Sequence, residues 1–532
     1  MSPRQEVWVG GVVMLLAAVI FTQPAAWSGS GALVGRHFDL QGTVWLISAA
    51  PRFGPGGLDL LSGLPEGARY ARLDSWTLAA LARALSWLDP VRVHNALQVL
   101  GVWLSAWAAE RFAAALGARA PASWLAGLSY GMSGLAASAL LEGHVYHLLE
   151  PFLPLCAWAW WRASRLDGRA IHGALAALGF GAALLTTAYH GVVAAVLVVV
   201  IGAASLWRRE LRAVPAGVAA LGALAFGLPY VFVFLGAPEE VAVSAPVPAA
   251  GLLAFTPPSA ELDRIGHSLS AHLPATTLAL ASLCPFLLRE HLGWRRLWLA
   301  GAACAVLALG PSLSPPQGAV AALPAAALQL IEGGALLRFP VRFAWGCSLL
   351  WGALAARAAM ALGARLPAAP FVLIALMVVD LGYWGGMPGR QRSQPAGAPS
   401  AYAGEGPVLD LLPEHMGRQD ELSAQLQALV CSYQVWHRRP IADDCVTPFP
   451  DRNPRIALSR GLVAAAARGE GAAYLRARGF VAVALHPDLF AAGDRARLLT
   501  QLGALDPAPA ISFDHGEKIV VYTISSDRGP RP

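Results

Sequence analysis

One carboxylate, Asp39, stands among aromatic and apolar neighbours in Arg36-His37-Phe38-Asp39, soon after the first long apolar run. A carboxylate against a cavity at a membrane boundary has its proton affinity raised by desolvation, and it can take a proton from a hydroxyl, which is general-base chemistry. The same residue also fits the N-cap of a short interfacial helix over Leu40–Ala50, so two readings stand side by side. A second set lies at Glu142-Gly143-His144-Val145-Tyr146-His147, where two histidines three apart follow a glutamate. Such donors suit a metal ion, although polar and aromatic anchoring at the interface is the commoner meaning of a turn like this. A third set is Arg338-Phe339-Pro340-Val341-Arg342-Phe343. Its two guanidinium groups stand at the mouth of an apolar helix, suited either to gripping a lipid phosphate or to snorkelling toward head groups. Asp380 falls inside another apolar run and is a candidate on that ground alone.

The elements that must position these residues follow from composition. The 532 residues are 56% hydrophobic and 14% charged, against about a quarter charged in soluble domains. Continuous apolar runs recur from Val7–Phe21 to Pro370–Trp384, among them Ser123–Leu141, Leu148–Trp161 and Gly191–Trp207. Backbone in lipid must pair internally, and a barrel would alternate apolar and polar residues, so the expectation is a polytopic α-helical membrane protein with about eleven transmembrane helices. Arginine sets the direction. Arg119, Arg162, Arg165, Arg169, Arg208, Arg209, Arg212 and Arg357 fall in one set of loops, while the turns Gly143–His147 and Tyr189–His190 hold none. Positive charge stays inside, so the expectation is a cytoplasmic N-terminus and an extracytoplasmic tail. The small residues at Gln23-Pro24-Ala25-Ala26 resemble a signal cleavage site, but an uncleaved first helix fits the arginine pattern of every later loop.

The transmembrane unit is expected over 1–386, with a long first outer loop at about 22–92. That loop mixes Arg52, Arg69, Arg72, Arg83 and Arg92 with Asp59, Glu66, Asp74 and Asp89, the pattern either of a lipid-phosphate grip or of internal ion pairs. A Gly-, Pro- and Ser-rich linker follows at 387–406, then an extracytoplasmic α/β domain over 407–532. Strands are expected at Val408–Leu412, Phe480–Leu485 and Lys518–Ile524, and helices at Pro454–Arg478 and Leu489–Leu502. Cys431 and Cys445 both fall in that outer domain, where an oxidising compartment permits a disulfide. Cys156, Cys284, Cys304 and Cys347 read as core residues. No nucleotide fingerprint, nucleophile elbow, zinc spacing or basic-aromatic segment is present, which speaks against nucleic acid as a partner.

The order of motifs resembles the GT-C superfamily of membrane glycosyltransferases, in its bacterial branch with a C-terminal outer domain. The matching segments are His37-Phe38-Asp39, Leu88-Asp89-Pro90-Val91 with His94-Asn95, Gly143-His144, Phe152-Leu153-Pro154-Leu155, Tyr189-His190-Gly191 and Arg338-Phe339-Pro340-Val341-Arg342-Phe343. In the tail, Val408-Leu409-Asp410-Leu411-Leu412-Pro413 and His437-Arg438-Arg439-Pro440-Ile441 match as well. The resemblance implies transfer of a sugar from a polyprenyl-phosphate donor to a glycan, lipid or protein acceptor at the outer face of the cytoplasmic membrane, with inversion. It implies Asp39 as base, Arg36, Arg338 and Arg342 on the donor phosphate, and His37, Asp74, Glu142, His144 and His147 lining the acceptor side. Asp39 stands without the partner of an Asp-x-Asp motif, which puts the family's divalent metal in doubt here. Two other classes fit the same topology: a transporter or flippase for a lipid-linked glycan, and a non-catalytic assembly protein.

Overall fold

The computed structural model describes residues 2–35, 39–54, 58–69, 75–235, 272–288, 293–310, 312–313, 321–322, 324–325, 340–384, 393–413, 421–443, 445, 453–506, 508–514 and 517–524. The apolar runs of the first 385 residues are helical. The first helix, α1 (Pro3–Phe21), starts on a capping box: the Ser2 hydroxyl accepts from Gln5 N, and the Gln5 side chain reaches back to Ser2 N. Two shorter helices, α2 (Asp39–Ala49) and α3 (Trp76–Ala84), lie in the long loop that follows. The longest is α4 (Pro90–Ala115), opened by Asp89, whose Oδ1 accepts from Val91 N and Arg92 N at 3.1 Å each. The run Ser123–Leu141 is not one helix. It divides into α5 (Trp124–Gly131) and α6 (Gly134–Glu142), because the Ser133 hydroxyl caps a fresh start at Ala136 N. After the single turn α7 (Val145–Leu148), the chain runs through α8 (Phe152–Ala163), α9 (Ala170–Thr186), α10 (Ala188–Trp207), α11 (Ala213–Leu235), α12 (Ala275–Leu287), α13 (Trp294–Ala308), α14 (Ala344–Gly363) and α15 (Ala369–Trp384).

A bilayer core of about 30 Å needs about twenty helical residues. Among the described residues, five helical segments are long and apolar enough: Arg4–Phe21, Trp124–Glu142, Ala188–Trp207, Ala213–Tyr230 and Pro340–Gly363. Ala170–Thr186, Ala275–Leu287 and Ala369–Gly382 are shorter apolar helices. Small residues let the helices approach. A Cβ on Gly131 of α5 would stand 2.5 Å from the Ala106 Cβ of α4, so only hydrogen fits. Charges inside the bundle are matched: buried Glu110 accepts from Arg111 and from the Ser123 hydroxyl. Asp380 is matched too. It accepts from Ala275 N and lies 3.4 Å from His272 Nε2, so it secures the start of α12.

Beyond the helices lies a four-stranded sheet of β7 (Val408–Leu411), β8 (Ala482–Leu485), β10 (Glu517–Thr523) and β9 (Ala510–Asp514), in that order. The first pair is parallel and the others antiparallel. Around it stand α16 (Glu421–His437), α17 (Pro454–Ala467), α18 (Gly471–Arg476) and α19 (Ala492–Gly503). The single helix expected over Pro454–Arg478 is interrupted at Gly469, whose φ of +78° ends α17.

This part is not detached from the long first loop. Strand β1 (Ala32–Val34) pairs with β6 (Ser393–Pro395), and Leu40, Trp45 and Leu78 share a core with Tyr402, Val408, Tyr433 and Ile441. The loop also carries the short pair β2 (Leu58–Asp59) and β3 (Ala68–Arg69). Gln434 of α16 ties the two together. Its Oε1 accepts from Trp45 Nε1 at 2.7 Å and from Arg52 Nη2 at 2.9 Å. Arg52 also forks onto Asp59, so this arginine is spent on an internal ion pair. Cys431 on α16 is bonded to Cys445, with their Cα atoms 5.7 Å apart.

Candidate active site

Asp39 is the first residue of α2, and its backbone carbonyl accepts from the Thr43 hydroxyl at 2.9 Å. Leu40, Val44, Trp45 and Ile47 bury the apolar face of that helix, which leaves the Asp39 side chain a third exposed at its rim. What brings it to its partner is Gly143. This residue ends α6 in the left-handed region with φ +72°, and a Cβ there would stand 2.7 Å from the Leu40 Cα. Bare backbone therefore lets the first turn of α2 rest on the α6–α7 turn.

The contact delivered is an ion pair. His144 Nε2 lies 2.9 Å from Asp39 Oδ2, and His144 Nδ1 lies 2.9 Å from Glu142 Oε2. Glu142 acts on the ring both as a side-chain partner and through its charge. Burial by itself would push the His144 pKa down. The Asp39 and Glu142 carboxylates outweigh it and hold the ring up to about 9. His144 is thus an imidazolium clamped between two carboxylates at neutral pH.

Deeper in, His147 lies edge-on to His144 and to His190, with ring centroids 5.5 Å away in each case. It is buried, and neither ring nitrogen has a hydrogen-bond partner among the described residues. Burial first, then the positive charges of Arg342 and His144, drives its pKa well below the ordinary value, so this ring is neutral beside a charged one. The row ends at His190 Nδ1, which is paired with Glu150, both fully buried. Arg342 comes in from the turn before α14 and is itself buried. Its guanidinium sits over the Tyr189 ring, 5.1 Å from the centroid. Ser138, Glu142, His144, His147, Arg342 and Trp345 line one small cavity.

Asp39, Glu142, His144, His147 and Arg342 are therefore brought together. Arg36, His37, Asp74 and Arg338 lie outside the described residues. The pair Glu150–His190 is the part that sequence reasoning missed. Its signal was an acid inside an otherwise apolar run, immediately before Pro151. Among the described residues, no group of three or more His, Cys, Asp or Glu side chains is arranged to hold a metal ion. Chemically, the cluster offers a partly exposed carboxylate with a histidine cation behind it. A buried arginine lines the cavity beside that cation, able to meet an anion.

No protein-family model matches the chain, and no curated protein matches it by sequence. Solved structures do match in fold. The arabinofuranosyltransferase AftD from Mycobacteria superposes with a TM-score of 0.53 at 15% identity, over 99% of this chain and 40% of AftD. The apo oligosaccharyltransferase of Archaeoglobus fulgidus gives 0.49 at 9% identity, over 93% of this chain and 71% of that one. ArnT from Cupriavidus metallidurans, bound to undecaprenyl phosphate, gives 0.46 at 13% identity, over 98% and 99%. The likeness to AftD shows a shared fold, and this chain spans two fifths of the AftD length.

Proposed function

We propose that the chain is a membrane glycosyltransferase. In this reading it moves a sugar from a polyprenyl-phosphate-linked donor to an acceptor hydroxyl at the outer face of the cytoplasmic membrane, with Asp39 as base. One observation carries the proposal: Asp39 is clamped by His144, and His144 and Arg342 line one cavity.

The chemistry follows from the charges. The acceptor hydroxyl gives its proton to Asp39 as its oxygen attacks the anomeric carbon. The bond from that carbon to the phosphate oxygen breaks on the opposite side, which inverts the centre. The departing phosphate gains negative charge, and a buried guanidinium stabilises it more than one in water would. The His144 imidazolium keeps Asp39 ionised, although it also weakens Asp39 as a base. Glu142 on the other ring nitrogen offsets part of that weakening by sharing the positive charge. Orientation is argued from arginine. Arg165, Arg208 and Arg357 line one cavity, and positive charge stays on the cytoplasmic side, which supports an extracytoplasmic cluster and C-terminal sheet.

The test is Asp39→Asn and Arg342→Met, each expressed in a strain lacking the native gene, with lipid-linked sugars followed by mass spectrometry. A positioned base contributes about 10²–10⁴ in rate. Both variants should insert normally and accumulate the same polyprenyl-phosphate sugar as the empty strain. Full transfer by the Asn variant eliminates Asp39 as base.

A further inference from the structure

A second cavity, larger than the one beside Asp39, opens elsewhere among the described residues. It lies at the other ends of the same helices, where α4, α8 and α10 finish and α13 begins, with Leu354 and Arg357 of α14 in its wall, and has a volume of about 750 Å³. From His190 to Arg208 along α10 is about 27 Å at 1.5 Å per residue, so the two cavities are separated by roughly the thickness of a bilayer core.

Its charge is unbalanced. Arg165, Arg208, Arg296 and Arg357 line it against Asp167 and Glu210. Arg165 pairs with Asp167 at 3.2 Å, and Arg296 pairs with Glu210 and donates to the Ser205 hydroxyl at 2.8 Å. That uses both acids. Arg208 and Arg357 have no ion-pair or hydrogen-bond partner among the described residues. Arg296 is 5% exposed, and its Nε is left without a hydrogen-bond partner in the wall. A buried N–H in that condition is costly unless something else meets it. The fold also makes room for Arg357. The turn after α4 passes beneath its guanidinium at Gly117, with φ +95°, and a Cβ there would stand 2.4 Å from Nη1. The remaining wall is apolar, with Trp161 and Trp294 among its residues, the residue type that marks a membrane–water boundary.

We propose that this cavity binds the phosphate headgroup of an anionic membrane lipid from the leaflet opposite the transfer site. Two guanidinium groups without a partner among the described residues match one phosphate, and the tryptophans and leucines beside them accept the glycerol and the first acyl carbons. The ligand is an amphipathic phosphate, and its membrane source is what the experiment must separate from a soluble one.

The full chain is purified in detergent, reconstituted in phosphatidylcholine nanodiscs with or without phosphatidylglycerol, and analysed by native mass spectrometry for retained lipid. The wild type should keep phosphatidylglycerol through extraction and shed phosphatidylcholine. Arg208→Ala and Arg357→Ala should each weaken retention about tenfold, and the double variant about a hundredfold. Gly117→Ala should weaken it as well, by displacing Arg357 without removing charge, which keeps the proposal testable should the double variant misfold. Equal retention by wild type and variants, or equal retention of both lipids, overturns the assignment. Competition by millimolar inorganic phosphate that strips the lipid as readily as added phosphatidylglycerol overturns the membrane source.

Discussion

Replacing His144 by Gln removes the cation between Asp39 and Glu142 while keeping a polar side chain of similar reach. The size of the effect follows from the geometry. His144 is 4% exposed, and its pKa stands at about 9 against 6.5. A displacement of about 2.5 pH units at about 1.4 kcal/mol each comes to about 3.5 kcal/mol, and solvent at Asp39, 33% exposed, trims it toward about 2–3. The sign is set by the direction. A pKa raised on folding contributes stability that is complete below pH 6.5 and is lost as pH rises through 9. Wild-type protein in detergent should therefore lose about 2–3 kcal/mol between pH 6.5 and 9, a loss that His144→Gln lacks. Histidine-ring NMR on ¹³C-labelled protein gives the direct reading. One resonance, absent from the Gln variant, should titrate near 9, whereas the His147 ring should stay neutral until well below 6.5. A His144 resonance titrating at or below 6.5, or parallel loss of stability in both proteins, refutes the clamp.

Gly143→Ala adds a methyl against the Leu40 backbone and strains a left-handed turn, so it should shift Asp39 and lower transfer by about 10²-fold with normal insertion. Asp443→Asn leaves buried Arg455 without its ion partner, the pair being 2.6 Å apart, and should destabilise the C-terminal part by about 3–5 kcal/mol, read as faster limited proteolysis after α16. Cys431→Ser should lower stability by about 3 kcal/mol, and reductant should bring the wild type to the same melting point.

The helical part of the fold was legible because lipid allows one solution for an apolar run. The run Gly191–Trp207 sits inside α10, and Pro370–Trp384 inside α15. What escaped was local. Ser133 breaks a continuous apolar run by capping, and hydropathy carries no trace of a hydroxyl that bonds a backbone amide. In the tail, β9 (Ala510–Asp514) and α16 (Glu421–His437) were missed. Ala-Ile-Ser-Phe-Asp is a short alternating run with two apolar residues still exposed, and α16 is bound by Gln434 and Cys431 rather than by a marked apolar stripe. In the site, Asp39, His144 and Arg342 stood out as charges where the membrane makes charge costly. Their mutual arrangement did not, since the turn at Gly143 that joins α2 to His144 spans about a hundred residues of sequence.

The bond from Trp45 to Gln434 crosses 389 residues, which at about 5–20 residues per second of synthesis separates the two partners by about 20–80 s. Throughout translation of the intervening helices, the nascent first loop has no Tyr402, Tyr433 or Ile441 to cover Leu40 and Trp45. The apolar face of the first loop is therefore covered only after this later segment has been made. A chain stopped anywhere before Gln434 leaves the ribosome with helices inserted and an uncovered apolar face, a state open to chaperones and proteases alike.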